Sequence, residues 1–387
     1  MKKSTERIVN DFGKQKLIMY ANGFRNLAKT YKDADRCLES KEDRQTYIVR
    51  QKLYENREVL AGQIKEMADV LNAVADENIT VRELSKSQEK FLSQVLKKNK
   101  LVMDRFCFIG NRPDSLEVSV NLKYIGKNNF STVKVAKILS AVLEYDFVQK
   151  DSSPLYVMDE FTSFGFVIKP VFQVETGVSK AVKETEKISG DSYGFLEDEK
   201  GKFSILLSDG MGSGDKAMAD SELVIELVER FLEIGYPLDK TAKLINNTLI
   251  TNVENQNMST LDVCDINLHT GQCTFLKVGA TVSFIKKANY VEKISAGNLP
   301  LGIFANTEPE IKSYSLNTDD YVIMMSDGVL EGLGQVIGEE GFYDFLCAMD
   351  SLSAKEMANH LLNYVIRVCN GKIKDDMTIL VTKIIDF

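Results

Sequence analysis

Phe203-Ser-Ile-Leu-Leu-Ser-Asp-Gly-Met-Gly-Ser-Gly214 is the stretch on which the reading of this chain turns. It opens as a short, mainly apolar run, Phe203 to Leu207, of the length a buried strand needs. It then breaks into Ser208-Asp209-Gly210, with further glycines at 212 and 214. Glycines at that density let the backbone turn tightly and approach another group closely. Asp215 is a good N-cap, and the apolar positions Leu223, Leu227 and Phe231 with Val224 and Val228 follow at helical spacing. A carboxylate therefore sits where a buried strand emerges into a turn ahead of a helix.

The signal recurs at Tyr321-Val-Ile-Met-Met-Ser-Asp327-Gly328. Two more acidic spots are Ser189-Gly190-Asp191-Ser192 and Asp375-Asp376-Met377-Thr378, the latter ahead of the apolar run Ile379 to Val381. An Asp beside a Gly commonly only closes a turn. Four carboxylate positions in this order gather in one place only when cations neutralise them. Oxygen ligands alone favour magnesium, manganese or calcium over zinc or copper.

Together Gly190-Asp191, Ser208-Asp209-Gly210-Met211-Gly212, Ser259-Thr260-Leu261-Asp262, Met325-Ser326-Asp327-Gly328 and Asp375-Asp376-Met377-Thr378 resemble the motifs of the metal-dependent type 2C (PPM) protein phosphatases. Phe275 to Gly279, Ser283 to Lys286 and Asn298 to Ile303 resemble the stage II sporulation protein E branch in particular. The resemblance is specific over about residues 168–387. It implies an α+β architecture: a β-sandwich flanked by helices, with metals at one edge. It also implies two Mn2+ or Mg2+ ions, with Asp209 bridging them and activating water, and Gly210 offering its carbonyl. Asp191 would bind one metal indirectly or through water. Asp327 and Asp375 would bind the other, with Asp376 the alternative to Asp375. The implied substrate is a phosphorylated anti-anti-sigma factor, whose dephosphorylation releases a sporulation sigma factor. Members of that branch carry a membrane segment ahead of the helical region, so this chain is expected to be a truncated form or a soluble relative, on the cytoplasmic side.

Composition agrees with a soluble globular protein. Of 387 residues, 44% are hydrophobic and 27% charged, and two or three domains fit this length. No 18-residue apolar run or signal peptide is present. The net charge of −8 argues against nucleic acid. The six cysteines show no CxxC spacing and read as reduced and cytosolic. Two distant histidines, His269 and His360, make a Ser-His-Asp hydrolase a poor fit. No Cys-x5-Arg loop offers a covalent nucleophile, which favours attack by water. Gly210 to Gly214 is neither G-x-G-x-x-G nor a P-loop. Asp11-Phe12-Gly13 lies in a helical pattern with no His-Arg-Asp anywhere, and is read as chance. Between Val171 and Ser192 stand Lys180, Lys183 and Lys187 but no arginine, so the phosphate is expected to be held by the metals. The rival function is a degenerate phosphatase fold that serves as a scaffold in a partner-switching pathway.

Three regions are expected. Residues 1–95 read as amphipathic helices, with Leu17, Tyr20, Phe24, Leu27 and Tyr31 on one stripe. A heptad-like seam at Leu53, Leu60, Ile64, Met67, Leu71 and Val74 fits either a helical hairpin or a homodimeric coiled coil. Residues 96–167 read as a small α/β regulatory module, and 168–387 as the phosphatase domain. Because the helix from Asp215 begins at the loop carrying Asp209, that residue and the stripe Leu223, Leu227 and Phe231 are candidate regulatory positions. The expected phosphatase-domain helices are about 215–234, 238–252, 339–350 and 354–369.

Overall fold

The computed structural model describes residues 17–29, 60–62, 64–65, 67–69, 71–72, 81–110, 116–126, 129–198, 201–233, 235–251, 258–303 and 309–387. Leu53, Val74 and Tyr31 of the N-terminal stripes lie outside them. Residues 17–29 and the described residues of 60–72 are helical. They bury small residues: Ala21, Ala28, Ala61 and Ala68, while Tyr20, Phe24, Leu27, Leu60 and Met67 are exposed. Arg25 Nη2 donates to Asp69 Oδ1 at 2.6 Å, joining the two segments. Of the heptad pattern, Leu60 and Met67 are thus exposed, whereas Ile64 and Leu71 are half-buried.

The small module comprises β1 (Val81–Arg82), α1 (Lys86–Lys98), β2 (Leu101–Ile109), β3 (Glu117–Tyr124), β4 (Phe130–Ser131), α2 (Thr132–Leu143), β5 (Phe147–Gln149), β6 (Tyr156–Val157) and β7 (Thr162–Ile168). Its main sheet runs β1-β2-β3-β7-β5 and is antiparallel. Leu92 and Leu96 of α1 join its core with Val118, Val120 and Leu139. A boundary at 95 therefore cuts a helix that belongs to this module. Ser85 starts that helix with a capping box to Gln88.

The larger domain comprises β8 (Phe172–Ala181), β9 (Asp191–Glu197), β10 (Lys202–Asp209), α3 (Gly214–Glu233), α4 (Leu238–Thr251), β11 (Leu261–Asn267), β12 (Gln272–Val278), β13 (Ser283–Lys286), β14 (Val291–Ile294), β15 (Glu310–Ser315), β16 (Tyr321–Met325), α5 (Asp327–Ala348), α6 (Ala354–Val368) and β17 (Met377–Asp386). Two antiparallel sheets, β15-β12-β11-β10-β9 and β14-β13-β16-β17-β8, face each other. Phe203, Ile205, Leu207, Cys264 and Phe275 meet Ile285, Val322, Met324 and Leu380 between them. On the outer face of the first sheet, Leu206, Leu261 and Val263 pack on Val224, Val228 and Ile245 of α3 and α4. On that of the second, Ile323, Ile379 and Val381 pack on Leu333, Met357 and Leu361 of α5 and α6. The order of layers is helix, sheet, sheet, helix.

This layering explains the near-continuous apolar runs. Alternate residues of β10 and β16 face the inter-sheet core and a helix layer, so neither face meets water. The same layering buries every residue of β11 from Leu261 to Cys264. Two elements depart from the expected layout. Polar β15 is an exposed edge strand with no apolar period. The helix expected at 339–350 starts at Asp327, and Gly334 and Gly338 interrupt it with φ of 56° and 64°. Those glycines mask the helical pattern in the sequence.

Candidate metal centre

The candidate site lies where the sheets' ends meet. Asp191 opens β9 and Asp209 closes β10, and the two are directly paired. Asp327 follows β16 and opens α5, while Asp375 and Asp376 precede β17. Asp191 is buried, Asp209 and Asp375 are half-buried, and Asp327 is exposed. Burial, with the charges of Asp191, Asp327 and Asp375, pushes the Asp209 carboxyl up to about 9. Burial likewise raises Asp191 to about 6, although hydrogen bonds from Thr378 and Ser326 and the charge of Lys180 oppose the shift. These are the signatures of carboxylates crowded together away from water. Among the described residues no three carboxylate, imidazole or thiol groups are gathered tightly enough to enclose one ion.

A scaffold of hydroxyls holds these carboxylates. Thr378 Oγ1 donates to Asp191 Oδ2 at 2.6 Å, leaving Asp191 Oδ1 buried without a protein partner. Lys180 Nζ donates to the Asp191 carbonyl at 2.8 Å. The Asp209 amide donates to Thr260 Oγ1 at 2.9 Å, and Ser259 Oγ donates to the Asp209 carbonyl at 2.7 Å. Ser208 bonds Ser259 and the Thr260 carbonyl, so it ties strands together. Ser326 Oγ accepts the Thr378 amide at 2.9 Å and does the same for β16 and β17. The supporting roles of Thr260 and Thr378 escape sequence reading, because a Thr within an apolar strand carries no periodic signal.

Asp375 and Asp376 differ sharply. Asp376 is buried, and its two oxygens accept the amides of Lys183 at 2.9 Å and Gly190 at 2.7 Å. It staples the 183–190 loop beneath Asp191. Asp375 is half-buried, accepts the Asp376 amide through Oδ1, and stands 3.8 Å from Lys183 Nζ. Gly210 has no room for a side chain: a Cβ there would lie 1.9 Å from the Ala217 carbonyl of α3. Asp215 is exposed, while Leu223, Leu227 and Phe231 are half-buried against the α3–α4 core.

The donor set suits hard divalent cations. It is oxygen-only, it holds one orphaned buried carboxylate oxygen in Asp191 Oδ1, and its negative charge is crowded around Asp209.

This layered sandwich, with acidic strand ends at one edge, is the type 2C phosphatase fold. It matches the solved structure of the PP2C phosphatase domain with a fragment of the regulatory domain of SpoIIE from Bacillus subtilis. The match covers 88% of this chain and 96% of that one, at 29% identity and a TM-score of 0.61. Residues 199–385 match the family model described as Stage II sporulation protein E (SpoIIE). Stage II sporulation protein E of Priestia megaterium is 30% identical over 333 residues, 86% of this chain and 57% of its own length. Phosphoserine phosphatase RsbU of Bacillus subtilis (strain 168) is 24% identical over 210 residues, 51% of this chain and 60% of its own. The chain thus spans less than two thirds of these curated relatives. Among the described residues no helix is long and apolar enough to cross a membrane.

Proposed function

We propose that this chain is a manganese- or magnesium-dependent serine/threonine protein phosphatase acting on a phosphorylated anti-anti-sigma protein. The observation that carries the reading is the convergence of Asp191, Asp209, Asp327 and Asp375 at one end of the sandwich, with Asp209 driven up to about 9 by burial and by the charges of its neighbours. In this reading Asp209 bridges two cations, Asp191 and the Gly210 carbonyl complete one side, and Asp327 and Asp375 the other. Asp375 is preferred to Asp376 because both oxygens of Asp376 are spent on backbone amides. Bound cations would lower the pKa of water and offset charge on the transferring phosphoryl group, which an unassisted phosphomonoester lacks.

The chain's own residues prepare this site. Thr378 fixes the Asp191 carboxylate, Ser259 and Thr260 fix the Asp209 backbone, and Asp376 fixes the loop beneath. No side chain is required as a covalent nucleophile. The exposed Tyr20, Phe24, Leu27, Leu60 and Met67 would supply an apolar surface for a second copy in a homodimer. The decisive experiment is phosphate release from a phosphoserine anti-anti-sigma protein with and without manganese. Metal-dependent release supports the reading. Tight binding of that protein without release would make the chain a scaffold.

A further inference from the structure

Asp209 and Asp327 share a narrow pocket between the sheets with Thr260, Asp262, Thr281 and Ser326. Its space, about 20 Å³, is enough for a water molecule. Asp262 is 1% exposed, and it does not belong to the crowded set described above. It pairs directly across the strands with Lys277, which is 2% exposed. Lys277 Nζ donates to Asp262 Oδ2, to the Thr281 carbonyl at 2.7 Å and to Ser283 Oγ at 2.8 Å. Ser283 Oγ in turn donates to Asp262 Oδ2 at 2.7 Å. Oδ2 is thus doubly engaged and the side chain is fixed, while Oδ1 is buried with no protein donor.

A buried charge is tolerated when it is paired and its remaining lone pairs are used. The Lys277 network uses only one of the two Asp262 oxygens. The other belongs to a residue that lines the pocket containing Asp209. We propose that Asp262 is a positioning residue: Oδ1 accepts a hydrogen bond from a pocket water, and that water's second hydrogen bonds the Asp209 carboxylate. Lys277 and Ser283 hold Asp262, Asp262 holds the water, and the water sets the orientation of Asp209 relative to Asp327. Lys277 also holds the Thr281 carbonyl, which keeps the β12–β13 turn closed over the same pocket. The inference rests on the metal-centre reading of Asp209.

Asp262→Asn is the informative variant. Its amide oxygen must turn to Lys277, so an NH2 group replaces the acceptor facing the pocket. Outer partners of metal ligands are worth about 10–100-fold in affinity or activity. Calorimetric titration of the full chain with manganese, at a temperature where the variant is still folded by circular dichroism, should therefore show binding weakened by about that factor, alongside a lower melting temperature from the loss of the charge paired with Lys277. A crystal structure of the wild type should hold a water within hydrogen-bonding distance of Asp262 Oδ1, and the variant should lose it. Unchanged manganese affinity in folded Asp262→Asn, or no water at Oδ1, would each overturn the proposal. A wild type that binds no manganese would remove it together with the metal site. A wild type whose manganese affinity depends on Asp262 yet releases no phosphate would overturn the phosphatase reading alone.

Discussion

Asp191 and Asp209 stand directly opposite each other, as antiparallel partners where β9 begins and β10 ends. Like charges placed opposite on neighbouring strands are destabilising. The fold keeps this arrangement and adds Asp327 and Asp375 to it, a cost that a bound cation would offset. Asp209→Asn and Asp327→Asn are expected to abolish phosphate release while leaving the circular dichroism spectrum unchanged. Activity within a few-fold of wild type in Asp209→Asn would exclude it as the bridging ligand.

The same crowding fixes how the metal-free protein responds to pH. The folded-state pKa of Asp209, about 9, lies above its value in an unfolded chain. Its contribution to stability is fully present below the unfolded pKa and is lost as pH rises through the folded one. In EDTA the wild type should therefore lose melting temperature between acidic and mildly alkaline pH. Asp209→Asn should lose less over that range and melt higher at neutral pH. For a domain of this size each kcal/mol recovered is worth roughly 2–4 °C. Saturating manganese should reverse the order. A metal-free wild type that melts above the variant at neutral pH would contradict the crowding.

Asp375 and Asp376 offer a cleaner separation. Asp376→Ala strands two buried amides, those of Lys183 and Gly190, which costs about 1–3 kcal/mol for each unmet group. It should lower the melting temperature with or without metal. Asp375→Asn removes no such support, so it should weaken manganese binding while leaving the metal-free protein as stable as wild type. Calorimetry on the two variants checks both halves. The opposite pattern would reassign the ligand to Asp376.

The loops at the site also bear on substrate choice. Ile188 and Met211, next to the loops that carry Asp191 and Asp209, are exposed, as are Tyr193 and Leu299. Such residues suit a protein surface better than a small ester. Covering a Met or Ile side chain contributes about 1.5–3 kcal/mol, or roughly ten- to a hundredfold in affinity. Met211→Asp and Ile188→Asp should lower kcat/KM by that factor on a phosphoprotein and leave hydrolysis of a small aryl phosphate unchanged. Equal losses on both substrates would place these residues in the chemistry instead.

Asp209 and Asp327 stand out in the sequence because each precedes a glycine where an apolar run stops, a local signal of chain geometry, whereas Asp191 follows a glycine and Asp375 has none beside it. Strands β10, β16 and β17 were legible for a related reason, being buried on both faces. What stayed hidden depends on contacts across the fold. Asp376 looks like a second ligand until its oxygens are traced to amides nearly two hundred residues away. Lys277 and Asp262 look like ordinary strand polarity until both prove buried against each other. The helical stripe is different: Leu60 and Met67 fit a seam by spacing and stand exposed while Ala61 and Ala68 are buried, and spacing does not say whether a seam closes within one chain or between two.

The last prediction concerns control, and two routes connect the α3–α4 pair to Asp209. In the first, Ala217 of α3 packs directly on Gly210, where even a methyl group would clash. In the second, Asn246 of α4 accepts the Gly302 amide at 2.9 Å, and Leu301 beside it donates to the Ser259 carbonyl at 2.9 Å. Ser259 Oγ then holds the Asp209 carbonyl. A shift of the helix pair must pass to the carboxylate through rigid contacts, and a misplacement of about 1 Å can cost a hundredfold in rate. Asp215, Leu223, Leu227 and Phe231 are the proposed regulatory positions on α3, and the exposed Leu60 and Met67 are the proposed input from the N-terminal helices. Asn246→Ala should cut the link inside the domain, and Leu60→Asp/Met67→Asp should cut the input. Both full-length variants should then show the same altered manganese midpoint or turnover, and combining them should add nothing further. If Leu60→Asp/Met67→Asp follows the wild-type manganese curve while Asn246→Ala departs from it, the internal link stands and the N-terminal helices are only a tether. If both variants follow the wild-type curve, the helix pair does not govern the site.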